Sequence, residues 1–272
     1  MPTPFYHLSI AEELLEHPGL LGSVRLALSE QRGAFLLGNT APDVQVVSGQ
    51  NREDTHFFTL PVPPNARPPW EQMLIDHPGL AGPENFSPVR AAFLAGYLIH
   101  LQADWLWVRD IFIPIFGPDN TWESFRYRLY LHNVLRAYLD RQIITDLPAG
   151  TGQLLHQVEP QEWLPFVRDH HLRAWQGHLA QQLEPGAEIQ TVEVFASRQG
   201  ISPARYYQLL ESESQMDEAV FSRIPRRCLL EYRLRLVEEN VELLQSYLSR
   251  ILNYENHRAI SAARRRRVHQ PD

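Results

Sequence analysis

Ala91-Ala92-Phe93-Leu94-Ala95-Gly96-Tyr97-Leu98-Ile99-His100-Leu101-Gln102-Ala103-Asp104 is the stretch on which the reading of this chain turns. It is the most apolar helical pattern in the sequence, yet it carries a histidine and a carboxylate four residues apart. On an α-helix that spacing puts both side chains on one face, where they can converge on one ion. A carboxylate buried on such a helix needs a strong partner, because a lone buried charge is costly or is neutralised by a pKa shift. A structural His–Asp hydrogen bond would serve, and so would a metal. Three more residues extend the set: His7 in Phe5-Tyr6-His7-Leu8, Asp43 in Gly38-Asn39-Thr40-Ala41-Pro42-Asp43, and His56 in Asp54-Thr55-His56-Phe57. Imidazoles and carboxylates together suit a borderline divalent cation such as zinc.

Working outward, helical patterns dominate. Ser87-Pro88 caps and starts the helix, which is expected to run to about Val108. Gly96 weakens that helix, so its presence points to close packing against another backbone. Upstream, Pro4 to Glu16 reads as a helix ended by His17-Pro18-Gly19, and Leu20 to Glu30 as a second one. The Pro-, Asn-, Asp- and Gly-rich span from Gly38 to Pro88 reads as a long irregular connection carrying Asp43 and His56. Downstream, helices are expected over Trp122 to Ile144, Pro160 to Leu183, Val192 to Gln199 and Pro203 to Ser212, with a long one from Met216 to Tyr254 interrupted at Pro225. Its stripe Leu229, Leu230, Leu234, Val237, Val241, Leu244, Tyr247 and Leu248 reads as core. With no strand pair, the fold class is all-α. One helical domain over 1–255 is expected, followed by a basic, disordered tail over 256–272 that holds Arg264 to Arg267.

The chain has 272 residues, a net charge of −7 and a single cysteine, Cys228. The length allows a substantial core, and the charge argues against stable nucleic-acid binding. A lone cysteine excludes an intrachain disulfide. The first residues lack the basic start and apolar core of a signal peptide, and no apolar run is long enough to span a membrane. The chain therefore reads as cytoplasmic.

The residues quoted above resemble the zinc-dependent phospholipase C family, which shares its helical fold with the S1/P1-type nucleases. The resemblance rests on His7, the Gly-x-x-Ala-Pro-Asp run ending at Asp43, Thr55-His56-Phe57, and Gly-Tyr-Leu-x-His-Leu-x-x-Asp from Gly96 to Asp104, in matching order and spacing over roughly the first 110 residues. It implies a multi-helix enzyme that holds one to three zinc ions and cleaves phosphodiesters, such as a phospholipid head group, a nucleotide or a short oligonucleotide. Asp43, His56, His100 and Asp104 would hold one zinc, and His7, with Asp104 bridging, a second. Asp43 could also assist as a base.

The family places a histidine six residues beyond the aspartate of the helix motif, where this chain has Asp110. It also has a later His-x-x-x-acid, where His132 is followed by Arg136, with Asp140 two turns beyond His132. Asp110, His132 and Asp140 are the candidates for a second half-site. The nucleases bind zinc through the N-terminal amine as well, and Pro2 would fill that role if Met1 were removed. The ordinary alternatives are a turn aspartate at Asp43, a loop histidine at His56 and a packed first-turn histidine at His7. Trp105 and Trp107 flank the motif as a cleft wall or, more commonly, as core. His170, His171 and His178 read as a solvated face. The functional alternatives to an enzyme are a helical binding or scaffold protein keeping a residual structural metal, and a metal-free interaction protein.

Overall fold

In the computed structural model the backbone is described for residues 1–81 and 86–268, and side chains as far as 248. No β-strand occurs among the described residues, so the architecture is all-α. The order is α1 (Pro4–Glu16), α2 (Gly22–Glu30), α3 (Arg32–Gly38), a 3₁₀ turn (Ala41–Val44), α4 (Gln45–Ser48), α5 (Glu53–His56), α6 (Pro69–Asp76) and α7 (Pro88–Trp107). There follow a π-helical segment (Val108–Phe116), α8 (Phe125–Ile143), α9 (Thr151–His156), α10 (Asp169–Gln182), α11 (Thr191–Gln199), α12 (Pro203–Leu210), α13 (Glu213–Met216) and α14 (Arg226–Val268).

The helix starts are set by short-range chemistry. Thr3 caps α1 by accepting from the Tyr6 N–H, with Pro4 at the first helical position. Ser87 and Ser124 accept from Arg90 and Tyr127 N–H at the starts of α7 and α8. The helix α7 is buried along nearly its whole length, from Ala91 to Trp107, and packs between α3 and α14. A helix apolar all round can only sit at the centre of a bundle.

The approach of α3 to α7 needs glycine on both sides. A Cβ on Gly96 would lie 2.1 Å from the Phe35 carbonyl oxygen, and one on Gly38 would lie 1.9 Å from that of Phe93. Both obstacles are backbone, so neither can move aside as a flexible side chain would. This is the close packing that Gly96 implied, and it places the chain that follows α3, residues 39–44, directly over His100.

Several expectations need adjustment. The connection from Gly38 to Pro88 is not irregular throughout, since α4, α5, α6 and the 3₁₀ turn lie inside it. The helix α10 starts at Asp169 rather than Pro160. Of the stripe read as core on α14, Val237, Val241, Leu244, Tyr247 and Leu248 are buried, but Leu230 is 58% and Leu234 55% exposed. Tyr232 and Leu236 on the same stretch are buried, so Leu230 and Leu234 lie on the face of α14 turned away from the bundle, and helical spacing alone did not bury them. The backbone of α14 continues to Val268, so the expected boundary at 255/256 falls within a helix. The end of the basic tail, 269–272, and the side chains of Arg264 to Arg267 lie outside the described residues. No helix among the described residues is long and apolar enough to cross a membrane.

Gly96→Ala is expected to destabilise the protein by about 1–3 kcal/mol through overpacking. Gly177→Ala should stabilise it by about 0.5–1 kcal/mol, because Gly177 lies inside α10 and a Cβ there meets nothing within 4 Å. Denaturant unfolding of the two variants checks the sign of each.

Candidate metal centre

Four elements deliver the expected side chains to one buried place. The first turn of α1 presents His7, the 3₁₀ turn Asp43, the last residue of α5 His56, and α7 both His100 and Asp104. His7, His56, His100 and Asp104 are at most 1% exposed. The helix α5 is stopped by Phe57 in the left-handed region (φ 59), which a bulky residue adopts only when its surroundings hold it there. The Tyr97 hydroxyl donates to the Thr55 carbonyl at 2.7 Å and ties this short helix to α7.

Asp104 is the common partner. Its Oδ1 lies 3.4 Å from His7 Nε2, and its Oδ2 lies 3.3 Å from His56 Nε2 and 3.9 Å from His100 Nε2. The Asp43 Oδ1 stands 3.6 Å from His56 Nε2. The rings of His7 and His100 stack with centroids 3.7 Å apart. Backbone carbonyls fix two of the imidazole tautomers. His100 Nδ1 is 2.9 Å from the Asn39 carbonyl and His56 Nδ1 3.2 Å from that of Arg52. A carbonyl can only accept, so each Nδ1 carries a proton, and in the neutral ring Nε2 turns a lone pair inward. Asn39 also donates from its side chain to the His7 carbonyl at 2.5 Å, so one residue positions two of the histidines.

The inward-facing atoms lack partners of their own. Nε2 of His7, His56 and His100, and Oδ1 of Asp104, are buried with no hydrogen-bond partner. Leaving four such atoms unsatisfied within one cluster is costly in a protein interior, and a cation among them relieves all four. Two overlapping groups have ligand atoms close enough to share an ion: His7, His100 and Asp104, and Asp43, His56 and His100. Protonation states suit this role. Burial, helped by the neighbouring His7, pushes His100 down to about 3, so it is a neutral ligand at neutral pH. Burial alone would raise the Asp43 and Asp104 carboxyls; the surrounding imidazoles outweigh it and hold both below the usual carboxylate range. The donors are therefore of the types zinc takes.

The two groups overlap at His100, while the two oxygens of Asp104 face His7 and His56 separately. The single free nitrogen of His100 can ligate one ion at a time, because Nδ1 is committed to Asn39. A second ion would therefore rest mainly on His7 and the other oxygen of Asp104.

The second half-site does not assemble from Asp110, His132 and Asp140. None of them belongs to a group able to hold an ion among the described residues. Asp110 lies beyond the end of α7 and pairs with Arg235 at 2.8 Å. His132 Nε2 accepts from Trp107 Nε1 at 2.9 Å, inside a box closed by Phe112 and Phe116. Asp140 accepts from the hydroxyls of Thr3 and Thr191. Trp105 and Trp107 are both buried, so the commoner core reading applies to them. His170 is exposed, while His178 is half-buried against Trp175. Cys228 is likewise only half-buried.

Sequence reasoning missed Arg52 and Asn39. Arg52 donates to Asp104 Oδ2 at 2.7 Å, with its guanidinium 4.5 Å from the Phe58 ring centroid. It stands one helical turn before His56, and that i, i+4 spacing was the available signal. Asn39 acts through its backbone carbonyl, which residue type does not announce.

Burial pushes the Asp140 carboxyl up to about 7. An acid whose folded pKa lies above its unfolded value of about 3.9 makes the folded state bind the extra proton between those pH values. Stability from this group is thus present at low pH and falls as pH rises from about 4 to 7, by at most about 1.4 kcal/mol per unit. Asp140→Asn should flatten that fall and melt above the unsubstituted protein at pH 8. Melting curves at pH 5 and pH 8 check this; an Asp140→Asn variant less stable than its parent at pH 8 contradicts it.

The family model described as zinc dependent phospholipase C matches residues 6–143, just over half of the 272-residue chain. No curated protein and no solved structure matches the chain. The matched span runs from α1 to the end of α8 and contains every residue of the buried cluster. A buried His/Asp cluster with inward lone pairs is what a zinc-dependent fold has to build, and by this match the chain belongs to the zinc-dependent phospholipase C family.

Proposed function

We propose that the chain is a zinc-dependent phosphodiesterase that hydrolyses a phospholipid or a related phosphodiester. The observation that carries the reading is the set of buried, unpartnered ligand atoms on His7, His56, His100 and Asp104, with Asp43 beside them. His56, His100 and Asp43 would hold one zinc, and His7 and Asp104 a second. Zinc bound there would supply Lewis acidity toward a phosphoryl oxygen and lower the pKa of a water.

The chain's own residues do the rest. Asp43, whose side chain is 18% exposed against 1% for Asp104, is the carboxylate open to a substrate and the one able to take a proton from an attacking water. Arg52 reaches the cluster with its side chain 20% exposed, so it can meet a phosphoryl oxygen while still pairing with Asp104. A guanidinium aimed where negative charge develops is worth most in the transition state. The Asn39 and Arg52 carbonyls hold the imidazole orientations before substrate arrives.

A non-catalytic scaffold with a structural metal is the second reading, favoured by one observation: Arg52 already supplies a positive charge at Asp104. The two part at Arg52. As a catalytic cation, Arg52→Ala should keep the zinc and lower kcat by about 10²-fold or more on an aryl phosphodiester. As a structural charge it should cost stability and leave any turnover unchanged.

His100→Ala and Asp104→Asn should each bind far less zinc, read by metal analysis of protein purified without chelators. Normal zinc content in both would sink the assignment. Hydrolysis of bis(p-nitrophenyl) phosphate or p-nitrophenylphosphorylcholine should be measurable and should disappear on chelation. Failure on choline, nucleotide and aryl phosphodiesters alike, with zinc bound, would leave the scaffold reading standing.

A further inference from the structure

A cleft opens beside Asp43, and cations line it. Its walls include Asp43, Arg136 from α8, and Thr191, Phe195 and Arg198 from α11. Asp43 is its only carboxylate among the described residues. The Arg136 guanidinium donates to the Met1 carbonyl at 2.9 Å and to Asn133 Oδ1 at 2.6 Å, and lies 4.0 Å from the Phe195 ring centroid. Its Nε is buried with no partner, and among the described residues no carboxylate forms an ion pair with it. Arg198 is exposed at the same wall.

Arg136 is half-buried with its Nε enclosed, so its desolvation is only partly offset by Asp43 and Asp140, and Arg198 alongside adds repulsion. Both costs fall when an anion enters. Arginine pairs are suited to phosphate and carboxylate groups, which they bind through several parallel N–H donors. A quaternary ammonium such as choline needs an aromatic cage without competing cations. Phe5, Trp175 and Phe195 give this cleft aromatic surface, but Arg136 already covers the Phe195 ring and Arg198 stands at the same wall, so the cleft selects against a cation by charge.

We propose that this cleft is a head-group subsite for a second anionic group, a phosphomonoester carried by the part of the substrate beyond the scissile phosphodiester, with Arg198 and Arg136 holding it. The inference rests on the phosphodiesterase reading, since Asp43 joins the subsite to the buried cluster. It narrows the substrate to phosphodiesters with a phosphorylated head group and sets choline esters among the poor ones.

Calorimetric titration of the zinc-loaded full chain with an inositol bisphosphate, phosphorylcholine and inorganic phosphate tests it. The bisphosphate should bind at least tenfold more tightly than phosphorylcholine, and Arg198→Gln should remove most of that advantage. Arg136 is packed on Phe195, so its loss could disturb the fold; exposed Arg198 carries the test, with Arg198→Glu expected to weaken the bisphosphate further. Inorganic phosphate binding as tightly as the bisphosphate, with the same dependence on Arg198, would show a free-phosphate site and overturn the head-group assignment. Equal affinities for bisphosphate and phosphorylcholine would overturn the subsite outright. In kinetics, the kcat/KM ratio between a phosphodiester bearing a second phosphate and bis(p-nitrophenyl) phosphate should fall at least tenfold in Arg198→Gln. No turnover of any diester, with bisphosphate binding still dependent on Arg198, would sink the phosphodiesterase reading and keep the anion site. Turnover with an unaltered ratio would do the reverse.

Discussion

A carboxylate at the centre of a protein has to be surrounded by positive charge or by donors, and Asp104 is that carboxylate here. It sits within 4 Å of three imidazoles, with a fourth contact to Arg52 at 2.7 Å. The three histidines come from α1, α5 and α7, so satisfying one side chain requires these elements to meet. Arg52 supplies part of the charge, but the inward Nε2 atoms remain without donors or acceptors. A structural His–Asp network would place protons between its nitrogens and oxygens. Here the tautomers set by Asn39 and Arg52 carbonyls point lone pairs, not protons, at Asp104 and at one another. That pattern repels unless a cation lies among them.

The backbone makes this possible by coming unusually close to itself. Without side chains at Gly38 and Gly96, α3 and α7 touch through their main chains. The residue leaving α3 then brings its carbonyl within hydrogen-bond reach of His100 and its amide within reach of the His7 carbonyl. Two glycines thus act on the centre at one remove, by setting where Asn39 stands. The same contact explains why a helix as apolar as α7 tolerates a glycine in its middle.

The parts of the molecule that could be read from sequence are those whose signal is local. Periodicity and caps place α1, α7 and α8 within a few residues, and four-residue spacing pairs His100 with Asp104. His7, Asp43 and His56 come from separate elements; motif order, not spacing, linked them to α7. What could not be read depends on tertiary direction. Leu230 and Leu234 read as part of the same stripe as Val237 and Val241, yet the buried face there is carried by Tyr232 and Leu236, and the two leucines point away from it. Asp110, His132 and Asp140 are chemically able ligands, but Arg235, Trp107 and the two threonines claim them first. Asn39 contributes a carbonyl that every residue possesses, and Arg136 matters for the cleft wall it forms with α11, which residue type does not announce.

The central claim is that a zinc ion lies among His7, Asp43, His56, His100 and Asp104. The most direct measurement is anomalous diffraction at the zinc absorption edge from crystals of the chain grown with zinc. The account predicts a peak within about 2.0–2.2 Å of His100 Nε2, flanked by carboxylate oxygen from Asp43 or Asp104. A map with no anomalous peak in the cluster, and the histidines hydrogen-bonded to one another or to water instead, would contradict it.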